Sequence, residues 1–292
     1  MKQSNVKEYF KPASLDEAIS IINNYNGKIK IVAGATDLFA DDNPTIDALV
    51  DISKLELNYI KNEDGFLKIG ALTTINELIN SDIIRSEFQG LWEACKVLAD
   101  KTTRNAATIG GNICSSLPSA DSVPPIFAAG AVLVVKTSSE EKKVNIEEFF
   151  IGPRKSILKK NEILTEIQIP LCNCAYGTGF EKMTRNSEDL ALVNAAAYVE
   201  VDSDNKVKKA KVVMGAVAPT VVRAKKFEEA LVGLKPEDDD NMDKLSEFVV
   251  ESISPISDIR CNKEYREHAS KVLAKRAILK AYQRAVEKAE KH

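Results

Sequence analysis

Two short stretches hold residues whose types and spacing suit ligand chemistry. One is Thr108-Ile109-Gly110-Gly111-Asn112, followed by Asp121 in Pro118-Ser119-Ala120-Asp121. Adjacent glycines allow a tight turn, because glycine alone takes positive φ cheaply. Successive N–H groups in such a turn can point the same way and form a concave anion site. Thr108 and Asn112 can add hydrogen bonds to a phosphate or a ring edge. The carboxylate of Asp121 is a natural acceptor for ribose hydroxyls. Taken alone, a Gly-Gly pair is more often an ordinary turn between strand and helix.

The other stretch is Lys30-Ile31-Val32-Ala33-Gly34-Ala35-Thr36-Asp37-Leu38. A β-branched strand that opens into small residues lets a ligand approach the main chain closely. Neither G-x-G-x-x-G nor G-x-x-x-x-G-K-[ST] occurs in the chain. A dinucleotide would therefore be held by two loops far apart in sequence.

Side chains able to do chemistry by themselves are scarce. Of the 2 histidines, His268 falls in a charged C-terminal helix and His292 is the last residue. No Ser/His/Asp or Cys/His constellation can be assembled from them. The 5 cysteines, Cys95, Cys114, Cys172, Cys174 and Cys261, are odd in number and dispersed, the pattern of reduced thiols. Cys172-Asn173-Cys174 is the only close pair. Without a C-x-x-C or a second pair it reads as two ordinary thiols rather than a metal site. Cys114 reads as a packing residue. Any chemistry is left to a cofactor that the protein positions.

The elements that must place these loops follow an α+β pattern in three segments, 1–57, 58–175 and 176–292. In the first, Ser14-Leu15-Asp16-Glu17 is a capping box. It opens a helix with Leu15, Ala18, Ile19 and Ile22 on one face, stopped at Gly27. Strand 29–32 then delivers the first loop, and Val50–Ser53 is another short strand. In the second, 66–71 is a strand and Thr74-Ile75-Asn76-Glu77 another capping box. A helix over 91–99 directly precedes the Gly-Gly loop, and 131–135 is a buried strand. Alternation over 162–169 predicts a half-buried strand ended by Pro170. The third has strands over 195–201 and 206–214 and helices over 224–232 and 242–251, with Gly233 as a stop. A final helix over 263–290 carries Ala269, Val272, Leu279, Tyr282 and Val286 on its core face. Glu237-Asp238-Asp239-Asp240 reads as a solvated charge run.

A chain of 292 residues exceeds one ordinary core, and 44% hydrophobic content is enough to build several. A net charge of −3 with interspersed signs offers no footprint for nucleic acid. No apolar run is long enough to span a membrane, and the N-terminus lacks a secretory core, so the sequence reads as cytoplasmic.

Taken in order, these motifs resemble the FAD-binding (medium) subunits of the molybdenum hydroxylase, or xanthine dehydrogenase, family. That family's first flavin loop reads like A-G-G-T-D-L, here Ala33 to Leu38. Its second reads like T-x-G-G-N-I followed by S-P-x-[AS]-D, here Thr108 to Ile113 and then Leu117 to Asp121. The likeness continues through Glu162-Ile163-Leu164, Phe180-Glu181-Lys182 with Arg185 and Asp189, and Asp258-Ile259-Arg260 with Tyr265-Arg266, so it spans nearly the whole chain. It implies a two-subdomain FAD-binding fold of the vanillyl-alcohol oxidase (PCMH) type, followed by a C-terminal α+β domain.

By the same resemblance, Lys30, Ile31, Val32, Ala33, Gly34, Ala35, Thr36 and Asp37 wrap the FAD, mostly through main-chain N–H groups. Thr108, Ile109, Gly110, Gly111 and Asn112 form the second wall, and Asp121 binds a polar edge. Leu164 packs near the rings, and either Glu181 or Lys182 contacts the flavin. Ala35 stands where the family commonly has glycine, so that position must hold an alanine or carry strain. Also implied are a small partner subunit with 2Fe–2S clusters, a large molybdopterin subunit that hydroxylates substrate, and an external electron acceptor such as NAD⁺. The absence of a cysteine-rich insert disfavours the 4-hydroxybenzoyl-CoA reductase branch. The first loop looks more like the purine and nicotinate branches than the carbon monoxide branch. The alternatives are a carbon monoxide dehydrogenase-type flavoprotein subunit, a stand-alone flavin oxidoreductase, and a scaffold protein that has lost its cofactor.

Overall fold

The computed structural model describes residues 6–38, 46–237 and 241–291. The N-terminal five residues, residues 238–240 of the charge run and His292 lie outside the described residues.

Among the described residues, three larger sheets follow one another along the chain, and a two-stranded hairpin of Phe150–Gly152 and Lys155–Ser156 is set within the second. The first is parallel, with Ala48–Asp51 between Glu8–Phe10 and Ile29–Val32. Parallel strands need a crossover, and helix Leu15–Asn24 supplies it. Ser14 Oγ accepts the Glu17 N–H at 3.2 Å, while the Glu17 carboxylate reaches one residue further back, to the Ala13 N–H at 2.7 Å. The helix buries Ala18, Ile19 and Ile22, and ends at Asn24 with an extended Tyr25. It therefore stops before Gly27, whose added Cβ would lie 2.8 Å from the Tyr25 ring. Gly27 is a packing residue here, not the stop signal.

The second sheet is antiparallel, in the order Ile60–Glu63, Phe66–Gly70, Ile163–Pro170, Val132–Lys136, Glu141–Asn145. Strand Ile163–Pro170 is central and buried on both faces, not half-buried: Ile163 joins the core of the first sheet, and Leu164, Ile167 and Ile169 join the larger core. Short helices cover this sheet. Thr74 and Glu77 form the complete reciprocal cap expected of them. Helix Gln89–Lys96 does not lead directly into the Gly-Gly stretch, because a further helix, Lys101–Ala106, capped by Asp100, intervenes.

The third sheet, Tyr176–Met183, Val193–Val201, Val207–Gly215 and Val222–Arg223, is antiparallel and backed by helix Lys263–Ala289. Helices Lys225–Leu231 and Met242–Ser246 pack with it, the second continuing as a 3-10 turn over Glu247–Ser252. The long helix buries Ala269 and Tyr282 as expected, but Val272, Leu279 and Val286 lie at the margin. Its buried face is alanine-rich (Ala274, Ala277, Ala281, Ala285), because Gly177 and Gly179 let the strand approach the helix backbone. A Cβ at Gly177 would lie 2.2 Å from the Ala281 carbonyl oxygen, and one at Gly179 2.5 Å from that of Ala277.

Candidate functional site

Both loops meet at one cavity of about 500 Å³, between the first two sheets and the edge of the third. The first loop leaves strand Ile29–Val32 and crosses the end of helix Lys101–Ala106. Gly34 sets that crossing: an added Cβ would lie 1.8 Å from the Ala106 carbonyl oxygen and 3.1 Å from Ala107 Cα. Glycine is required there for close approach, not for φ. Ala35, next along, has φ +59°, so this position does hold a left-handed alanine under strain. The N–H groups of Gly34, Ala35, Thr36 and Asp37 have no hydrogen-bond partner among the described residues.

The Gly-Gly stretch differs from its expected form. Ile109–Cys114 is a short helix capped by Thr108, and neither Gly110 nor Gly111 has positive φ. Its N–H groups are not free for an anion. Those of Ile109 and Gly110 donate to the carbonyls of Thr73 and Ala71, both at 2.9 Å. That of Gly111 donates to Thr108 Oγ1 at 3.1 Å, and that of Asn112 to the Thr108 carbonyl at 2.9 Å. Gly110 is small because a Cβ would sit 2.6 Å from the Ala71 oxygen. This wall therefore offers shape and side chains, while the first loop offers the main-chain donors. Asn112 Oδ1 accepts from Ser122 Oγ at 2.6 Å, which fixes the amide at the wall.

Of the residues singled out in the sequence, Lys30 through Asp37, Thr108, Gly110, Gly111, Asn112, Asp121, Leu164 and Lys182 all line the cavity. Ile109 does not; it is fully buried in the core behind the wall. Leu164 sits where the central strand slips register between Leu164 and Glu166, and bulges of this kind re-aim side chains. Successive strand residues face opposite ways, which separates Glu181 from Lys182. Lys182 faces the cavity, whereas Glu181 faces the long helix and pairs with Lys280 at 2.7 Å.

Asp121, in the loop after helix Ile109–Cys114, and Lys182, on strand Tyr176–Met183 of the third sheet, form a buried ion pair, Nζ to Oδ2 2.7 Å. Lys182 also donates to the Val97 carbonyl at 3.0 Å, and Asn194 Nδ2 donates to the other Asp121 oxygen at 3.0 Å. Burial pushes the Asp121 carboxyl up, and the Lys182 ammonium and the Asn194 amide oppose that rise. These two residues therefore hold each other at the wall, an arrangement the sequence did not reveal.

Several lining residues carried no sequence signal. Arg154 lies in a hairpin with φ +58°, and Glu188 and Leu190 reach the cavity from the loop between strands Tyr176–Met183 and Val193–Val201, beside Asp189, which the resemblance had included. Leu190 is 58% exposed, although large and apolar. Cys114, expected to pack, opens onto the cavity; crowding by protein on its other sides pushes its thiol up to about 12, so it is no ready nucleophile. Cys172 and Cys174, expected as reduced thiols, are joined as a disulfide, their Cα atoms 5.2 Å apart and within bridging range. His268 is exposed, as a surface residue should be.

Comparison with known proteins covers both halves of the chain. Residues 3–172 match the family described as FAD binding domain in molybdopterin dehydrogenase, and residues 178–281 the CO dehydrogenase flavoprotein C-terminal domain. The chain is 30% identical to the glyceraldehyde dehydrogenase medium chain of Sulfolobus acidocaldarius, over 92% of this chain and 96% of that one. It is 31% identical to the xanthine dehydrogenase FAD-binding subunit of Escherichia coli O157:H7, over 94% and 95%. Among solved structures, carbon monoxide dehydrogenase of Hydrogenophaga pseudoflava superposes with a TM-score of 0.91 at 29% identity, covering 97% of this chain and 99% of that one. Quinoline 2-oxidoreductase of Pseudomonas putida 86 gives 0.89 at 26% identity, with the same coverage.

Proposed function

The chain belongs to the family of FAD-binding medium subunits of the molybdenum hydroxylases, and from that footing we propose that it relays electrons from the iron–sulfur clusters of a small partner subunit to an external acceptor. The molybdenum and iron–sulfur chemistry of this family resides in partner subunits, and FAD is the cofactor of this one. No helix among the described residues is long and apolar enough to cross a membrane.

The observation that carries the reading is the run of four N–H groups, Gly34 to Asp37, that find no partner among the described residues, on a cavity of about 500 Å³. Donors of this kind suit a pyrophosphate, and the volume lies within the ordinary range for cofactor sites. FAD supplies a centre that takes up electrons singly or in pairs. The residues do the rest. Gly34 holds the donor loop against the Lys101–Ala106 helix, while Gly110, Gly111 and Asn112 shape the facing wall. Leu164 keeps that wall dry. Lys182 sets a positive charge in the wall, which favours negative charge gained on reduction. Asp121 holds that ammonium in place and moderates its field. Segments 1–57 and 58–175 are assigned as the two FAD-binding subdomains, and 176–292 as the domain that closes the cavity.

Relatives act on substrates as different as glyceraldehyde, carbon monoxide and xanthine, and the substrate is read in another subunit. NAD⁺ is the acceptor to test first. The purified chain should be yellow and should release FAD on denaturation. In its native complex it should copurify with two further chains. A colourless chain that FAD cannot reconstitute would overturn the proposal.

A further inference from the structure

The disulfide between Cys172 and Cys174 sits on the segment that joins the two matched domains, where the first ends at residue 172 and the second begins at 178. A disulfide stabilises a fold mainly by closing a loop in the unfolded chain, and its effect grows with loop length. This one spans a sequence separation of 2, so as a staple it contributes very little. Nor does it bridge two elements. Its position suits chemistry better than stability: Asn173 is exposed and both cysteines are half-buried, within reach of a small thiol.

We propose that Cys172 and Cys174 form a reversible dithiol–disulfide site, opened by a dithiol reductant and closed by a disulfide oxidant. Its surroundings make the two sulfurs unequal. The Cys174 N–H donates to Cys172 Sγ at 3.2 Å, so a thiolate forming on Cys172 finds a donor already in place. The Glu200 carboxylate lies within 4.8 Å of both sulfurs, anchored by Lys209 Nζ at 2.8 Å and Tyr198 Oη at 3.1 Å. A reductant thiolate attacks Cys174 Sγ; the S–S bond breaks and Cys172 leaves as the thiolate. The second thiol of the reductant then attacks the mixed disulfide and releases Cys174. Two electrons pass to the protein, two protons end on its thiols, and the reductant becomes a cyclic disulfide. Closure runs the same steps backwards.

The site is separate from the flavin cavity. Leu164 lines the cavity at one end of strand Ile163–Pro170, and the cysteines follow its other end, roughly 20 Å away at the usual rise per residue. Failure of either reading leaves the other standing.

The test uses the full chain loaded with FAD and equilibrated in mixtures of reduced and oxidised dithiothreitol. Free thiols are then alkylated and located by peptide mass spectrometry. Cys172 and Cys174 should gain label together in one two-electron transition, while the flavin spectrum and the labelling of Cys95, Cys114 and Cys261 stay constant. Either serine variant should lose the transition. Cys172 in C174S should be alkylated faster than Cys174 in C172S, because the N–H of residue 174 supports a thiolate on Cys172. Two results would overturn the proposal: thiols that label fully even after oxidised dithiothreitol, or a disulfide that opens only when urea unfolds the chain.

Discussion

Replacing Gly34 with alanine probes whether the close approach of the two loops builds the cofactor site. The new Cβ would lie 1.8 Å from the Ala106 carbonyl oxygen and 2.6 Å from its carbon, both backbone atoms that cannot rotate aside. Real Cβ contacts essentially never fall below 3.0 Å, so the loops must part by at least about 1.2 Å. The N–H groups of Gly34 to Asp37 move with them. A hydrogen bond tolerates only a few tenths of an ångström, so one or two bonds to a pyrophosphate are lost. At about 1.5 kcal/mol for each bond to a charged group, FAD binding weakens by roughly 1.5–3 kcal/mol, or about 10–150-fold. Overpacking itself lowers stability by about 1–3 kcal/mol, which separate unfolding of the apoprotein would report. The affinity is read by titrating apoprotein with FAD and following the quenching of flavin fluorescence. A folded G34A variant that binds FAD within about twofold of wild type would refute the account.

Three other outcomes follow from the same geometry. Ala35→Gly relieves a left-handed alanine at φ +59°, so A35G should gain about 0.5–1 kcal/mol and raise the midpoint of thermal unfolding by roughly 2 °C; an unchanged or lower midpoint would contradict the strain. Breaking the buried Asp121–Lys182 pair from one side should cost about 3–5 kcal/mol in urea unfolding, and D121N/K182M should recover over half of the D121N loss. Simple additivity of the two single losses would sink that coupling. At Asp51 burial raises the carboxyl, but hydrogen bonds from Tyr9, Ser53 and Lys11 together outweigh it and hold the group at about 2, below its ordinary 3.8. A depressed folded value means this contribution is complete above the unfolded value and is lost as pH falls through the folded one. Acid unfolding should therefore show a slope between about pH 4 and pH 2 that D51N flattens, and an identical slope in D51N would discount Asp51.

Local signals read well from the chain, and non-local ones did not. The caps at Ser14 and Thr74, the strand that delivers the first loop and the αL stop at Gly233 each depend on neighbours within a few residues. Burial of strand Ile163–Pro170 on both faces depends on layers contributed by residues a hundred positions away, so its alternation suggested a half-buried strand. The core face of the long helix was misplaced for a similar reason. Its alanines become core only because Gly177 and Gly179 stand opposite them.

By itself the sequence determined which residues gather around one cavity, since the ordered motifs carry the family and all but Ile109 of the chosen positions line it. Only the tertiary structure decided what each does there. Gly34 and Gly110 are small because the backbones of Ala106 and Ala71 press on them, a contact invisible in composition. The N–H groups of the Gly-Gly helix are already taken by Ala71, Thr73 and Thr108, whereas those of the first loop find no partner among the described residues. Asp121 and Lys182, 61 residues apart, meet because the loop after the Gly-Gly helix and a strand of the third sheet close over the same cavity. Residue types set which interactions are possible, but the packing of distant segments sets which partner each group finds.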